Sequence, residues 1–400
     1  MDYKIDNSGS SLNTFEIQKA IIDVATGPNA GGILYFPPGV YLTGSIRLYS
    51  GVELYLSAGA VLQASPHPGD FPLPFGVKHG APGRDYGYDY GLIKIHHANN
   101  VGIRGRGTVD AAGALNGRLK IVHIMNSKNI NIEDVVLRNG HGWQVPILHA
   151  SHVNLKNVRV ISPLTSNTDG INPDASTDIV LDNVVICSGD DAVAVKATNF
   201  GTWLRKKVNN IRVKNSILLT MKSALKIGTE TRAEKFSDIV FRNNDILISD
   251  RAFTIYIRDG ATVENVKFID NRVEMAGGLR EDHDRIIDIA IDRREETIWQ
   301  HPRWKEVRDN PGKLRHVVFR DIQVNTENSL FLNEDGVCRI KGFNETNSAE
   351  GIQFSNFSVN GRIITNPSTH ITVGQKSNKV PFAEIDGEAT QDIIFQKGFK

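Results

Sequence analysis

Three aspartates are the residues most suited to chemistry. Asp169 lies in Ser166-Asn167-Thr168-Asp169-Gly170, and Asp190 and Asp191 lie in Ser188-Gly189-Asp190-Asp191-Ala192. The two segments are 21 residues apart, and each falls where an alternating apolar run gives way to turn residues. Crowded carboxylates repel, so at least one should keep its proton to higher pH. A protonated carboxyl beside an ionised one is the pair that general acid–base chemistry needs near neutral pH. Adjacent strand residues face opposite sides, so Asp190 and Asp191 reach one cleft only across a bend, which Gly189 is expected to allow. A calcium site would want more oxygen ligands than these three acids supply, so no metal and no cofactor are expected.

Something must hold these segments at one level, and the chain contains a repeat that does so. A pattern of polar, apolar, any, apolar, any, Asn or Asp, apolar recurs at Asn129-Ile130, His152-Val153, Asp178-Ile179, Asn210-Ile211, Asp238-Ile239, Asn265-Val266, His316-Val317 and Gly351-Ile352, with a weaker copy at Asn100-Val101. The first apolar positions from Ile130 to Val266 are separated by 23, 26, 32, 28 and 27 residues. Each interval makes about one coil of a solenoid, and each copy alternates as a strand with one face inward. One copy cannot bury its apolar face alone, whereas stacked copies can. The spacing therefore predicts a right-handed parallel β-helix, with the recurrent Asn or Asp turned inward at the bends. An antiparallel sandwich would need two-residue Asn-Gly or Asp-Gly hairpins, which are scarce here.

The remaining organisation follows from that frame. Apolar residues at helical spacing from Thr14 to Val24, with Asn13 or Thr14 as N-cap, predict a helix closing one end of the solenoid. Residues 277–314 are charged and weakly periodic, and the 51 residues from Val266 to Val317 equal about two coils, so an insertion is expected there in a single domain over 1–400. Basic and acidic residues number 46 and 45, which gives no argument for nucleic acid or membrane partners. No stretch of eighteen apolar residues is present. Cys187 and Cys338 are too few for a disulfide framework, and Cys187, in an apolar run, is expected to be buried. Met1-Asp2-Tyr3-Lys4 lacks the basic and apolar regions of a secretory signal, so the expected location is either the cytoplasm or, with a signal removed, the periplasm or exterior. Nothing in the sequence sets an oligomeric state.

At these residues the chain resembles the polygalacturonase-type glycoside hydrolases, family 28. The resemblance is carried by Ile17-Gln18-Lys19-Ala20-Ile21, by Gly31 to Tyr41, by Gly105-Arg106-Gly107-Thr108-Val109-Asp110, by Asn167-Thr168-Asp169-Gly170 and by Gly189-Asp190-Asp191. It implies inverting hydrolysis of a glycosidic bond, with Asp190 as general acid and Asp169 and Asp191 activating water, the carboxyls standing roughly 6.5–9.5 Å apart. Two departures stand out. Where the family carries Gly-His-Gly, this chain has Lys222-Ser223-Ala224, and where it carries Arg-Ile-Lys, this chain has Tyr256-Ile257-Arg258. The family cations hold a uronate carboxylate, so Lys226 and Arg258 become the candidates to replace them, with Tyr256 and Ser223 lining the same subsite.

Further candidates for substrate contact are Asn167, Gln144, His149, Trp203 and Glu230, with Trp143 either a sugar platform or core. The function that follows is inverting hydrolysis of a pectin-related polysaccharide or oligosaccharide, of galacturonan or rhamnogalacturonan type. Loss of the family His and Arg shifts the expectation from plain polygalacturonate toward decorated substrates, and an insertion walling the groove would favour exo action. A lyase on the same scaffold needs a cation or base for a uronate, and a non-catalytic glycan-binding β-helix needs no acid column; calcium-dependent cleavage and silent sugar binding would reveal each.

Overall fold

In the computed structural model the recurring pattern folds as parallel strands. The structure describes residues 3–71, 91–111, 119–163, 165–198, 207–275, 284–293, 307–326, 337–373, 378–385, 387 and 389–396. They group into two compact units, Met1–Asp190 and Asp191–Lys400, and each is built as a right-handed parallel β-helix.

In the first unit the strands Asn99–Gly105, Lys128–Glu133, Ser151–Lys156 and Thr177–Asp182 stack in that order. Val101 pairs with Ile130, Ile130 with Val153, and Val153 with Ile179, the register that the repeat predicts. These residues are buried because each coil covers the apolar face of the next. A second stack contains Ile46–Leu48, Gly91–His96, Lys120–Met125, Val145–Leu148 and Ile171–Asp174. The helix Thr14–Thr26 packs its buried Ile17, Ala20 and Ile21 against the first strands of the unit. Asn13 holds the N-cap position, one of the two expected, but without the capping bond. Asn13 gives no side-chain cap and bonds instead to the backbone of Asp6, while the Thr14 hydroxyl accepts the Gly44 N–H at 2.6 Å.

The second unit repeats the scheme. Ile211 pairs with Ile239, Ile239 with Val266, Val266 with Val317, and Val317 with Ile352. Phe241, Phe268, Phe319, Phe354 and Phe395 form a stacked column with centroids 4.9, 4.8, 5.2 and 4.7 Å apart. A second stack runs through Val193–Ala197, Ser223–Thr231, Arg251–Ile257, Arg285–Ile291, Cys338–Lys341 and Ala383–Ile385.

Three expectations are corrected. The expected insertion 277–314 is not inserted loop throughout: Val266 pairs directly with Val317, so the 51 residues close one coil, and within them Arg285–Ile291 is a strand between Arg251–Ile257 and Cys338–Lys341. That strand is buried along its whole length, so it lacks the alternation by which the others were read. The remainder of the expected insertion, 277–283 and 294–306, lies outside the described residues. The recurrent Asn and Asp do not turn inward. Asp134, Asn157 and Asn183 sit at left-handed corners with φ of 63°, 55° and 54° and form an outward ladder, each amide 2.8 Å from the preceding side chain. Finally, Cys187 is half-buried rather than fully buried.

Candidate active site

In the first unit the two acidic segments meet. The Thr168 hydroxyl donates to the Thr165 carbonyl at 2.5 Å and accepts the Gly189 N–H at 3.0 Å, which places residues 168 and 189 on neighbouring coils. Glycine is required at 189 by closeness: a Cβ there would lie 2.2 Å from the Thr165 carbonyl oxygen. Asp169 is 2% exposed, and its Oδ2 accepts from the Asn172 amide at 2.7 Å. Asp190 is half-buried, with its carbonyl held by the Ser188 hydroxyl at 2.7 Å. Asp169 and Asp190 each offer a carboxylate oxygen within 4.8 Å of the other. At their nearest oxygens they are thus closer than the expected separation.

Asp191 opens the second unit and is bound from two sides. The Ser223 N–H donates to Oδ1 at 3.1 Å, and the Lys226 ammonium donates to Oδ2 at 2.7 Å. Burial by itself would push this carboxyl up. The positive charges of Lys226 and Lys196, the Lys226 hydrogen bond and Arg251 outweigh burial and hold it below the usual carboxylate range. Asp191 is therefore a carboxylate at neutral pH, and the Lys226 ammonium supplies there the charge that a bound cation would bring.

The candidate cations are engaged. Lys226 is on Asp191, and the Arg258 guanidinium forks onto Asp292, with Nη2 to Oδ2 at 2.9 Å. They do share one neighbour, since both lie against the Tyr256 ring, 5.7 and 5.2 Å from its centroid. The Tyr256 hydroxyl donates to Asp288, whose carboxylate also receives the Arg339 fork at 2.7 and 3.0 Å. Burial and then the Asp288 charge push the Tyr256 hydroxyl far up, so it remains a donor.

The sequence reading also missed a cation, Arg251. Arg251 stands in register with Ser223, and its Nε donates to the Ser223 hydroxyl at 3.1 Å. Its Nη1 and Nη2 make no hydrogen bond among the described residues. Burial would lower its pKa, and the neighbouring Tyr256 together with the carboxylates of Asp191, Asp288 and Asp250 reverses this. The signal was present in the sequence: Ser223-Ala224-Leu225-Lys226-Ile227 aligns with Arg251-Ala252-Phe253-Thr254-Ile255 at coil spacing. Asn172, Lys196 and Asp288 were also missed.

The other candidates are placed as follows. The Gln144 amide is fully buried and spent on Gly140, Gly142 and Ser162, so it braces a loop. Trp143 is 7% exposed and belongs to the core. His149 is a half-buried corner residue with φ 50°. Asn167 is an exposed left-handed residue beside Asp169. Glu230 is paired with the buried Lys196 at 3.7 Å. Trp203 lies outside the described residues.

Residues 81–276 match the family model described as Glycosyl hydrolases family 28. A "Probable polygalacturonase" of Vitis vinifera is 34% identical over 213 residues, covering 49% of this chain and 43% of that protein. An "Endo-polygalacturonase" of Pectobacterium carotovorum subsp. carotovorum is 29% identical over 248 residues, covering 56% and 59%. The chain thus spans about half the length of the curated relatives it matches. Among solved structures, the family 28 exopolygalacturonase of Yersinia enterocolitica aligns with a TM-score of 0.74 at 18% identity, over 98% of this chain and 77% of that one. The hyperthermoactive exopolygalacturonase of Thermotoga maritima aligns with a TM-score of 0.70 at 18% identity, over 99% and 90%. At these identities the likeness is one of fold.

Proposed function

We infer that this chain, which belongs to glycosyl hydrolase family 28, hydrolyses glycosidic bonds of a pectin-type polysaccharide or oligosaccharide with inversion. In this reading Asp190 protonates the leaving oxygen and Asp169 and Asp191 activate the attacking water. One observation carries it: Asp191 is a buried carboxylate kept ionised by Lys226 and Ser223. A fixed negative charge on the next residue disfavours a second one at Asp190, which favours a proton there. Asp169, oriented by Asn172, is the second acceptor for the protons of water.

An acidic sugar is the substrate that Arg251 favours. A guanidinium whose two ends make no hydrogen bond among the described residues matches a carboxylate fork to fork. The cation lost at Tyr256 is thereby offset from another strand, which weakens the reason to expect poor turnover of plain polygalacturonate. The argument for exo action loses its support as well, since part of the supposed wall is the strand Arg285–Ile291. The test is turnover of polygalacturonate and of rhamnogalacturonan oligosaccharides by the native chain and by Arg251→Met. Activity on acidic chains with KM raised about tenfold in the variant, equivalent to about 1.4 kcal/mol of binding, supports the reading. Equal KM values in the two proteins contradict the role of Arg251, and no hydrolysis of any pectic glycan contradicts the reading as a whole.

A further inference from the structure

We propose that Arg339 is a positioning residue for substrate binding: by saturating the Asp288 carboxylate, it keeps the Arg251 guanidinium open for a carboxylate of an acidic glycan. The proposal rests on the pectin-hydrolase reading and deepens it, since it names what holds the substrate cation of the second unit available.

Charge is dense on these strands, and most of it is matched. The Lys226 ammonium lies on Asp191 at 2.7 Å, and the Arg258 guanidinium forks onto Asp292. The Arg339 guanidinium forks onto Asp288, Nε to Oδ1 at 2.7 Å and Nη2 to Oδ2 at 3.0 Å. Lys222 stands 3.6 Å from Asp250. Arg251 differs from all of these. Its Nε goes to a hydroxyl, that of Ser223, and it has no carboxylate within ion-pair distance among the described residues.

Register makes Asp288 the competitor for Arg251. Thr254 pairs with Asp288 and Asp288 with Arg339, so Asp288 stands between the strand that carries Arg251 and the strand that carries Arg339. From the Arg251 strand, Tyr256 reaches across and donates its hydroxyl to Asp288. Arg251, Asp288 and Arg339 all act on that hydroxyl, and the Asp288 charge is among those that hold the Arg251 pKa up. Asp288 therefore has a cation on either side. It is 3% exposed, and a carboxylate that deep needs partners for its oxygens. The Arg339 fork takes both oxygens and Tyr256 adds a third bond, against about four lone-pair sites in all. Little is left to draw Arg251 in.

Without Arg339 the buried carboxylate would turn to the next cation, and Arg251 would close on it. A guanidinium closed on Asp288 cannot fork onto a sugar carboxylate. Tyr256, where the family carries arginine, fits this account: its hydroxyl stays protonated and gives Asp288 a donor without adding a second charge. The place is also right. Ser223, which bears Arg251, donates its N–H to Asp191 at 3.1 Å, so a carboxylate at Arg251 belongs to a sugar at the scissile bond or next to it.

A double-mutant cycle read by calorimetry tests this in an Asp190→Asn parent, where binding is measured without turnover. The probes are trigalacturonate and the same trisaccharide with its carboxyls reduced. Arg339→Met should weaken trigalacturonate binding about tenfold and leave the reduced sugar unchanged. Arg339→Lys, which keeps a charge on Asp288 without the fork, should lose less. Once Asp288→Asn has removed the charge that captures Arg251, Arg339→Met should cost less than about twofold. Equal losses with and without the Asp288 carboxylate, as direct contact of Arg339 with the sugar or a purely structural role would give, overturn the proposal. Unchanged affinity in Arg339→Met overturns it too, and so does a parent with no preference for trigalacturonate over the reduced sugar. A native chain that hydrolyses nothing yet shows the expected cycle would sink the hydrolase reading alone.

Discussion

At the scale of residues, the division of labour among the acids yields direct expectations. Replacing Asp190 by Asn removes the proton that the leaving oxygen needs, and activity should fall by roughly 10²–10⁴-fold while the melting midpoint stays close to that of the parent. Lys226→Met leaves the Asp191 carboxylate, 4% exposed at its side chain, without its buried partner. Chemical denaturation should then show a loss of about 3–5 kcal/mol, and the acid limb of the pH–rate profile should move to higher pH as Asp191 loses its hold on the charge. The pair His96 and His123, Nε2 to Nδ1 at 3.1 Å, predicts a stability slope of opposite origin. The folded pKa of His96 is depressed to about 3 from an ordinary 6.5, so the unfolded chain takes up protons first as the pH falls. Its contribution to stability is full above about 6.5 and is lost as the pH falls toward about 3. Urea midpoints between pH 7 and 4.5 should decline, and His96→Gln should flatten that decline. Motif and spacing marked Asp169, Asp190, Asp191 and Lys226 in the sequence, with Lys226 read as a cation for the sugar rather than as the partner of Asp191. The His96–His123 pair was not legible, because its meaning lies in which residue stands beside each ring one coil away; Arg251 was passed over although coil spacing sets its segment beside that of Ser223.

At the scale of elements, register was the most legible feature and corners the least. The pairing of Ile130 with Val153, or of Val266 with Val317, follows from a period of two within strands and one coil between them. The outward Asn ladder escaped because the left-handed corner that turns Asp134 and Asn157 toward solvent leaves no trace in polarity alone. The strand Arg285–Ile291 escaped because burial of both faces erased its alternation. Two substitutions probe the stacking. Phe319 lies between Phe268 and Phe354 at 4.8 and 5.2 Å, so Phe319→Ala should cost about 3–5 kcal/mol in denaturant titration. Gly189→Ala must displace the Thr165 carbonyl that its Cβ would meet at 2.2 Å. It should cost about 1–3 kcal/mol and lower kcat with it, since Asp190 is the next residue; a variant of native stability and rate would show that the close approach is dispensable.

At the scale of the whole molecule, the sequence disclosed the solenoid through its period, but not that the contacts gather into two units divided between Asp190 and Asp191. Two consecutive aspartates thus belong to differently built surroundings: one half-buried with its backbone held by Ser188, the other enclosed by Lys226 and Ser223. That asymmetry is the basis on which the proposed function assigns a proton to one of two neighbouring identical side chains and a charge to the other. The stereochemical claim is the one most exposed to refutation, because the nearest oxygens of Asp169 and Asp190 lie within 4.8 Å, below the carboxyl separation of roughly 6.5–9.5 Å that an inverting site commonly shows. Proton NMR of the first product released from a pectic oligosaccharide decides it. The account predicts a new reducing end of inverted anomeric configuration, formed by the native chain and absent with Asp190→Asn; a retained anomer, or an unsaturated product, would contradict it.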